Sequence, residues 1–361
     1  MMKKIMAAAL ALALMPAATA QNTTKLTADK SNEYGIVFSL PVTHLKIEIQ
    51  AQCTQRIAGP YFQYAKKYLG VSDVITEDSR TWDVTAVYVT PFGEPDTTKY
   101  LMKFKPGSNP FVTLNKQGVP LAINADVDTE ISEIPERVLP PDSKPSILAD
   151  DAYLKSLPGE LLVSESTAKK AEIAASLIYK IRESRTNLIT GEADQMPPDG
   201  AAMKLTMEHL DKQEEALTAL FLGTTTTTNV IKSVEYRPGK DVSNEVIARI
   251  SNLNGIVDKT DLSGAPLYLS LRVVERATLP VNEKGETKKL PKDAVVYNIP
   301  GKAQVVIKFR GNTMFDDKFE MSQYGVTFGA DPALFSDKKA PCYLIYRPET
   351  GSVLELRSLT E

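Results

Sequence analysis

The chain has two cysteines, Cys53 and Cys342, two histidines, His44 and His209, and one tryptophan among its 361 residues. Each scarcity narrows the chemistry. One pair of thiols makes no disulfide framework, so the fold must rest on apolar cores, which a chain of this length can bury. Two imidazoles are too few for a histidine-based metal site, and no metal or cofactor is expected. The sequence holds no G-x-S-x-G elbow, no H-E-x-x-H helix, no C-x-x-C pair and no glycine-rich phosphate loop, so the common signatures of nucleophilic, zinc-dependent, dithiol and nucleotide enzymes are missing. No basic run occurs, and 42 Lys and Arg stand against 45 Asp and Glu; nucleic acid is not an expected partner. No stretch reaches the roughly 18 consecutive apolar residues of a membrane helix, and no membrane span is expected.

What is present begins with "MMKKIMAAALALALMPAATA": Lys3 and Lys4, an apolar run from Ile5 to Leu14, and Ala18-Thr19-Ala20. This is the pattern of a secretory signal peptide over residues 1–20, too short to span and closed by an A-x-A site. Gln21 rather than Cys follows, so nothing points to a lipid anchor there. The mature chain is expected to be exported to the periplasm, to associate with the outer membrane or to be secreted.

In an exported chain Cys53 and Cys342 could form a disulfide tying its beginning to its end. In "HLKIEIQAQC", however, Leu45, Ile47, Ile49 and Ala51 alternate with Lys46, Glu48, Gln50 and Gln52, and Cys53 falls on the apolar set. A buried free thiol is the preferred reading.

The pattern of alternation and turns predicts a mainly β protein with an inserted helical hairpin (α+β), organised as two antiparallel, sandwich-like β domains. Residues 21–125 form the N-terminal β domain with a short aromatic helix. Within it "TWDVTAVYVTPFGEPDTTKYLMKFK" reads as two strands joined at Phe-Gly-Glu-Pro-Asp, and "FVTLNKQGVPLAINA" as a hairpin around Asn115 to Gly118. Residues 126–149 are an acidic linker or surface loop with Pro135, Pro140, Pro141 and Pro145. Residues 150–223 carry two helical periodicities, one through Ala174, Leu177, Ile178 and Ile181, the other through Met203, Met207, Leu210, Leu217 and Leu220. Residues 224–361 return to β, opening on five threonines, Thr224 to Thr228, that suit a pleated strand. Gly118 to Ile123 faintly resembles Gly264 to Leu269, which raises duplication of a β module.

Candidate chemistry is sparse. His44 and Cys53 share a strand but lie roughly 30 Å apart on opposite faces, at about 3.3 Å per residue, so they make no nucleophile pair, and no catalytic residue is assigned. His209 sits one residue off its helix's apolar stripe, where a surface imidazole is the default. Asn124, Asp126, Asp128 and Glu130 alternate like the start of a calcium loop, but the sixth position lacks glycine and the twelfth is Pro135. A solvated acidic turn is the better reading. In "RIAGPYFQYAKKYLG", Pro60 opens a helix and Gly70 closes it, with Tyr61, Tyr64 and Tyr68 along one edge. These tyrosines are candidates for ligand stacking; the preferred reading is a lid on a β core.

"GPYFQYAKKYLG", "DVITEDSRTWDV", "GIVDKTDLSGAPLY" and "QYGVTFG" resemble segments of an exported domain-of-unknown-function family of Bacteroidetes (number 4831), over nearly the whole mature chain. The resemblance implies an envelope or secreted location in a Gram-negative organism and brings no activity or ligand with it. The expected function is that of a non-enzymatic exported binding or scaffold protein with an envelope protein or a glycan as partner; the alternative is an exported glycan hydrolase working with a carboxylate pair.

Overall fold

Strict alternation of apolar and polar side chains needs a sheet that is buried on one face, and the segment from Pro41 to Ile57 finds one. The computed structural model describes residues 35–103, 110–128, 137–149, 157–164, 166–291, 294–337 and 340–359, so the signal peptide expected over residues 1–20 lies outside the described residues. The chain opens with β1 (Gly35–Phe38) and β2 (Pro41–Ile57), passes a 3-10 turn at Phe62–Tyr64 into α1 (Ala65–Leu69), and continues through β3 (Ser79–Pro95), β4 (Tyr100–Lys103), β5 (Val112–Leu114) and β6 (Pro120–Ile123). Helices follow: α2 (Gly159–Val163), α3 (Thr167–Thr190) and α4 (Gly200–Leu222). Then come β7 (Thr224–Tyr236), β8 (Val242–Ser251), β9 (Gly255–Val257), β10 (Ala265–Glu275), β11 (Val295–Phe309), β12 (Asn312–Ala330), α5 (Ala333–Ser336), β13 (Cys342–Tyr346) and β14 (Val353–Ser358).

The protein is mainly β, with several antiparallel sheets. Their strand orders are β1-β4, β12-β11-β10-β8-β9, β14-β13-β6-β5 and β3-β2-β7. The last pairing crosses from residues 21–125 to residues 224–361, the stretches expected as an N-terminal and a C-terminal β domain. β2, from the first sixth of the chain, pairs along its length with β7, from Leu45 opposite Tyr236 to Ile57 opposite Thr224. Ile47, Ile49 and Ala51 of β2 share one core with Leu267 and Leu269 of β10 and Val305 and Ile307 of β11. A second core joins Phe38, Met102 and Ile123 to Val295, Phe335, Leu344 and Tyr346. Two β cores do exist, but each draws on both ends of the sequence, because only a partner strand from the other end covers each apolar face.

The long hairpin β11–β12 serves both cores. Near its open end Val295 pairs with Ala330 beside the second core; beyond a shift at Ile299 and Gly301 the ladder resumes at Met321 in the first. The chains come so close at this kink that a methyl group on Gly325 would stand 1.9 Å from the Ile299 carbonyl oxygen.

Of the turn expected at Phe92-Gly93-Glu94-Pro95-Asp96, the first four residues are instead the end of the continuous β3, still paired with β2, while β4 pairs with β1. Gly93 is there for a close approach: a Cβ would lie 2.1 Å from the carbonyl oxygen of Pro348, in the turn between β13 and β14. Buried Asn298 fixes that turn by donating to the carbonyls of Pro41 and Thr350 while accepting from the Thr327 hydroxyl. The two similar hexapeptides occupy unlike places, β6 beside β13 and the inner strand β10.

The proline-rich segment does not separate domains. Residues 137–146 run antiparallel along the outer edge of β7. Ser143 donates its N–H to the Thr227 carbonyl, its hydroxyl receives the Thr227 N–H, and the Asp142 carboxylate receives the Asn229 N–H at 2.7 Å. Side chains thus stand in for the backbone donors and acceptors that the prolines remove, and an exposed edge is closed without offering a further edge. At its start Arg137 lies 4.0 Å over the Tyr88 ring and, with Lys46, pairs the buried Glu48 carboxylate. Asn229 also holds the Pro140 and Pro141 carbonyls and the Gln52 amide. Asn229→Ala is expected to cost about 2 kcal/mol in denaturant melts, since buried groups lose partners, and to speed amide exchange at Thr227.

α3 and α4 pack together over Ala174, Ile178, Leu217, Leu220 and Phe221, with Asp199 capping α4 and left-handed Gly191 ending α3. Arg182 and Arg185 of α3 both grip Glu214 of α4. Burial alone would raise this carboxyl, but the two guanidinium groups hold it below its ordinary value. A depressed folded-state value stabilises above the unfolded-chain value of about 4.3 and is lost as pH falls through the folded one. Glu214→Gln is therefore expected to melt below the parent at pH 7 and to converge with it towards pH 3. No helix among the described residues is long and apolar enough to cross a membrane.

Candidate functional site

Beyond Ala51 the sequence of β2 changes character, from apolar alternation to Cys53-Thr54-Gln55-Arg56-Ile57. Here the sheet outruns its core. Gln55 stands opposite Arg80 and Arg56 opposite Ser79 on β3, with Thr226 and Thr225 opposite them on β7. Gln55, Arg56, Ile57, Asp78, Ser79 and Arg80 line a cleft of about 240 Å³.

The floor is rigid. Trp82 is buried behind it, its ring against Gly255, where an added Cβ would lie 3.0 Å from the indole. Gly255 has φ +69°, so both backbone and space require glycine. Arg80 donates its Nε–H to the Cys53 sulfur at 3.3 Å, and its guanidinium carbon lies 5.8 Å from the Trp82 ring centre. Asp78 accepts the Ala58 N–H at 2.8 Å, which pins the rim where β2 leaves the sheet. Among the described residues neither Arg56 nor Arg80 has a carboxylate within ion-pair distance. The neighbouring Asp83 is engaged by Arg310 instead. The cleft carries charges of both signs, Arg56, Arg80 and Asp78, with Gln55 and Ser79 among them. It is lined by no imidazole: His44 is twelve residues up β2, about 40 Å away at 3.3 Å per residue, with its Nδ1 3.4 Å from the Glu94 carboxylate. Exposed His209 lies on α4.

The tyrosine segment lies just beyond the cleft, and it covers helices rather than a β core. Tyr61 donates its N–H to the Leu220 carbonyl and meets Phe221 edge-on at 5.6 Å. It is 6% exposed, and burial pushes its hydroxyl above its ordinary value. Gly59 allows the approach, since a Cβ there would lie 2.4 Å from the Leu220 oxygen. Tyr64 and Tyr68 pack half-buried on the same helical core, and the Tyr179 hydroxyl donates to the Tyr68 carbonyl. Tyr64 and Tyr68 stand with ring centres 6.3 Å apart.

The other candidates are also placed. Cys53 and Cys342 are free thiols, the first in the central core and the second beside the other core, so no bridge joins the chain's ends. The Asn124 amide is turned inward, donating to the Phe335 and Cys342 carbonyls and accepting from Phe111 N–H, which removes it from the calcium-like series with Asp126 and Asp128. Glu130 lies outside the described residues. Among the described residues no three His, Cys, Asp or Glu side chains gather as metal ligands would. Sequence reasoning missed Arg56 and Arg80; the signal it had was the loss of apolar alternation after Cys53.

No curated protein and no solved structure matches the chain. The model of one family does, over residues 34–354. With the cores, the cleft and the tyrosine segment all inside that span, the chain belongs to the family described as Domain of unknown function (DUF4831).

Proposed function

We propose that this chain is a non-enzymatic, exported binding or scaffold protein of the cell envelope, with an envelope protein or a glycan as partner. The observation that carries the reading is the cleft at the end of β2 and β3. Gln55, Arg56, Asp78, Ser79 and Arg80 give it exposed polar and charged groups, and the buried Cys53 thiol next to it accepts a hydrogen bond from Arg80 with no imidazole to activate it. A carboxylate-pair hydrolase calls for an acid held above its ordinary value; the shifted carboxylates among the described residues, Glu214, Asp258 and Asp261, are all held below theirs. In this reading the two facing sheets act as one sandwich, the helical pair is a hairpin on its end, and residues 1–20 direct export.

Fractionation and capture test the proposal together. The mature protein is expected in the envelope or secreted fraction beginning at Gln21, and affinity capture from native envelopes is expected to bring down a stoichiometric partner. Turnover of a panel of glycans without such a partner would reverse the reading.

A further inference from the structure

We infer that two copies of this chain pair through the outer edge of β14, joining their four-stranded sheets into one antiparallel sheet about a two-fold axis at Leu356. β14 ends the order β14-β13-β6-β5, and among the described residues no strand pairs with its other side. Exposed edges are ordinarily blunted by charge, as β3 is by Arg80 and Asp83 and β12 by Asp316, Asp317 and Lys318. β14 instead exposes two leucines, Leu354 at 54% and Leu356 at 41%. Leu356 stands directly opposite Leu344, which is fully buried, so the apolar face of the sheet runs one strand beyond the core that covers it.

The run Leu354-Glu355-Leu356-Arg357 sets both the partner and the register. A two-fold axis perpendicular to the sheet keeps every residue on its own face, so it passes through a residue and not between two. With the axis at Glu355 two carboxylates meet, and with it at Arg357 two guanidinium groups meet; like charges directly opposite destabilise a pair of strands. With the axis at Leu354, Glu355 faces the copy's Val353 and gains no opposite charge. At Leu356 each Glu355 lies opposite the copy's Arg357, and the two Leu356 side chains cover one another with Cβ atoms about 5 Å apart. Within one chain Glu355 already takes Arg357 Nε at 3.0 Å and the Tyr343 hydroxyl at 2.9 Å. Pairing therefore sets two prepared clusters side by side, with their charges alternating across the axis.

Sedimentation velocity of the chain from Gln21 onward, at concentrations from about 1 μM to about 1 mM, tests this. A reversible monomer–dimer equilibrium is expected. Glu355→Lys and Arg357→Glu each put like charges opposite one another across the axis, and each is expected to weaken the dimer by about tenfold or more. An equimolar mixture of the two variants restores opposite charges at both pairs and is expected to form a heterodimer at least as tight as the parent dimer. Arg357 is exposed, so its variant is expected to melt like the parent. Should Glu355→Lys melt lower, Arg357→Glu and Leu356→Lys, which sets two ammonium groups face to face at the axis, decide the matter by the same loss of dimer. A monomer over the whole range overturns the proposal and leaves the edge to a strand of a different protein. A dimer indifferent to these variants, or two charge reversals that melt like the parent yet fail to combine, overturns it as well.

Discussion

Gly325→Ala is expected to destabilise the protein by about 3 kcal/mol or more and to bring both β cores down in one transition. The added methyl would lie 1.9 Å from the Ile299 oxygen and 2.8 Å from the Ile299 carbonyl carbon and the Pro300 Cα. All three are backbone atoms, so no rotamer change relieves the clash, and the hairpin must open at its kink. Because β11 and β12 line the first core on one side of that kink and the second on the other, the damage cannot stay in one core. The sequence supplies its own reporters. Trp82 fluorescence reads the first core, and the reactivities of Cys53 and Cys342 read one core each. Coincident denaturant midpoints are expected for all three probes; a Cys342 midpoint well below that of Trp82 would show that the cores unfold separately and that the shared hairpin does not couple them.

Tyr61→Ala is expected to cost about 3 to 4 kcal/mol, the range for deleting a buried aromatic ring, with Tyr64→Ala and Tyr68→Ala costing less because those rings are half exposed. The loss is at the junction with α4, where Tyr61 packs on Phe221. Thermal melts followed by helical circular dichroism should show α3 and α4 losing cooperativity with the sheet. A triple alanine variant that melted like the parent while losing a ligand would establish the tyrosines as a platform.

What the sequence revealed and what it hid divide along the distance between interacting residues. The alternation of Leu45 to Cys53 and the turn at Asn115 to Gly118 are local signals, and each is where the pattern puts it. Gly93 misled because a glycine two residues before a proline reads as a turn, whereas its cause is the Pro348 oxygen, far along the chain. Pro140, Pro141 and Pro145 read as a linker because proline cannot join a ladder; the device that replaces the ladder depends on Asp142, Ser143 and Asn229, whose side chains carry no periodic signal. The cleft was illegible for the same reason. Residues 55–57 and 78–80 meet only through the register of β2 on β3, and two short stretches on separate strands make no motif.

The entry of the β13–β14 turn beneath the start of β2 has a temporal meaning. The Thr43 hydroxyl donates to the Glu349 carbonyl across 306 residues of chain, and β2 cannot complete its sheet until β7 has been made. Closing loops of this span before any contact rewards them makes folding slow, in the manner of domains rich in distant pairings. A nascent chain halted before residue 340 would hold Phe38 and Ile123 without Leu344 and Tyr346, exposing apolar strands to one another between molecules. Such a chain cannot close either core until its last strands have been made.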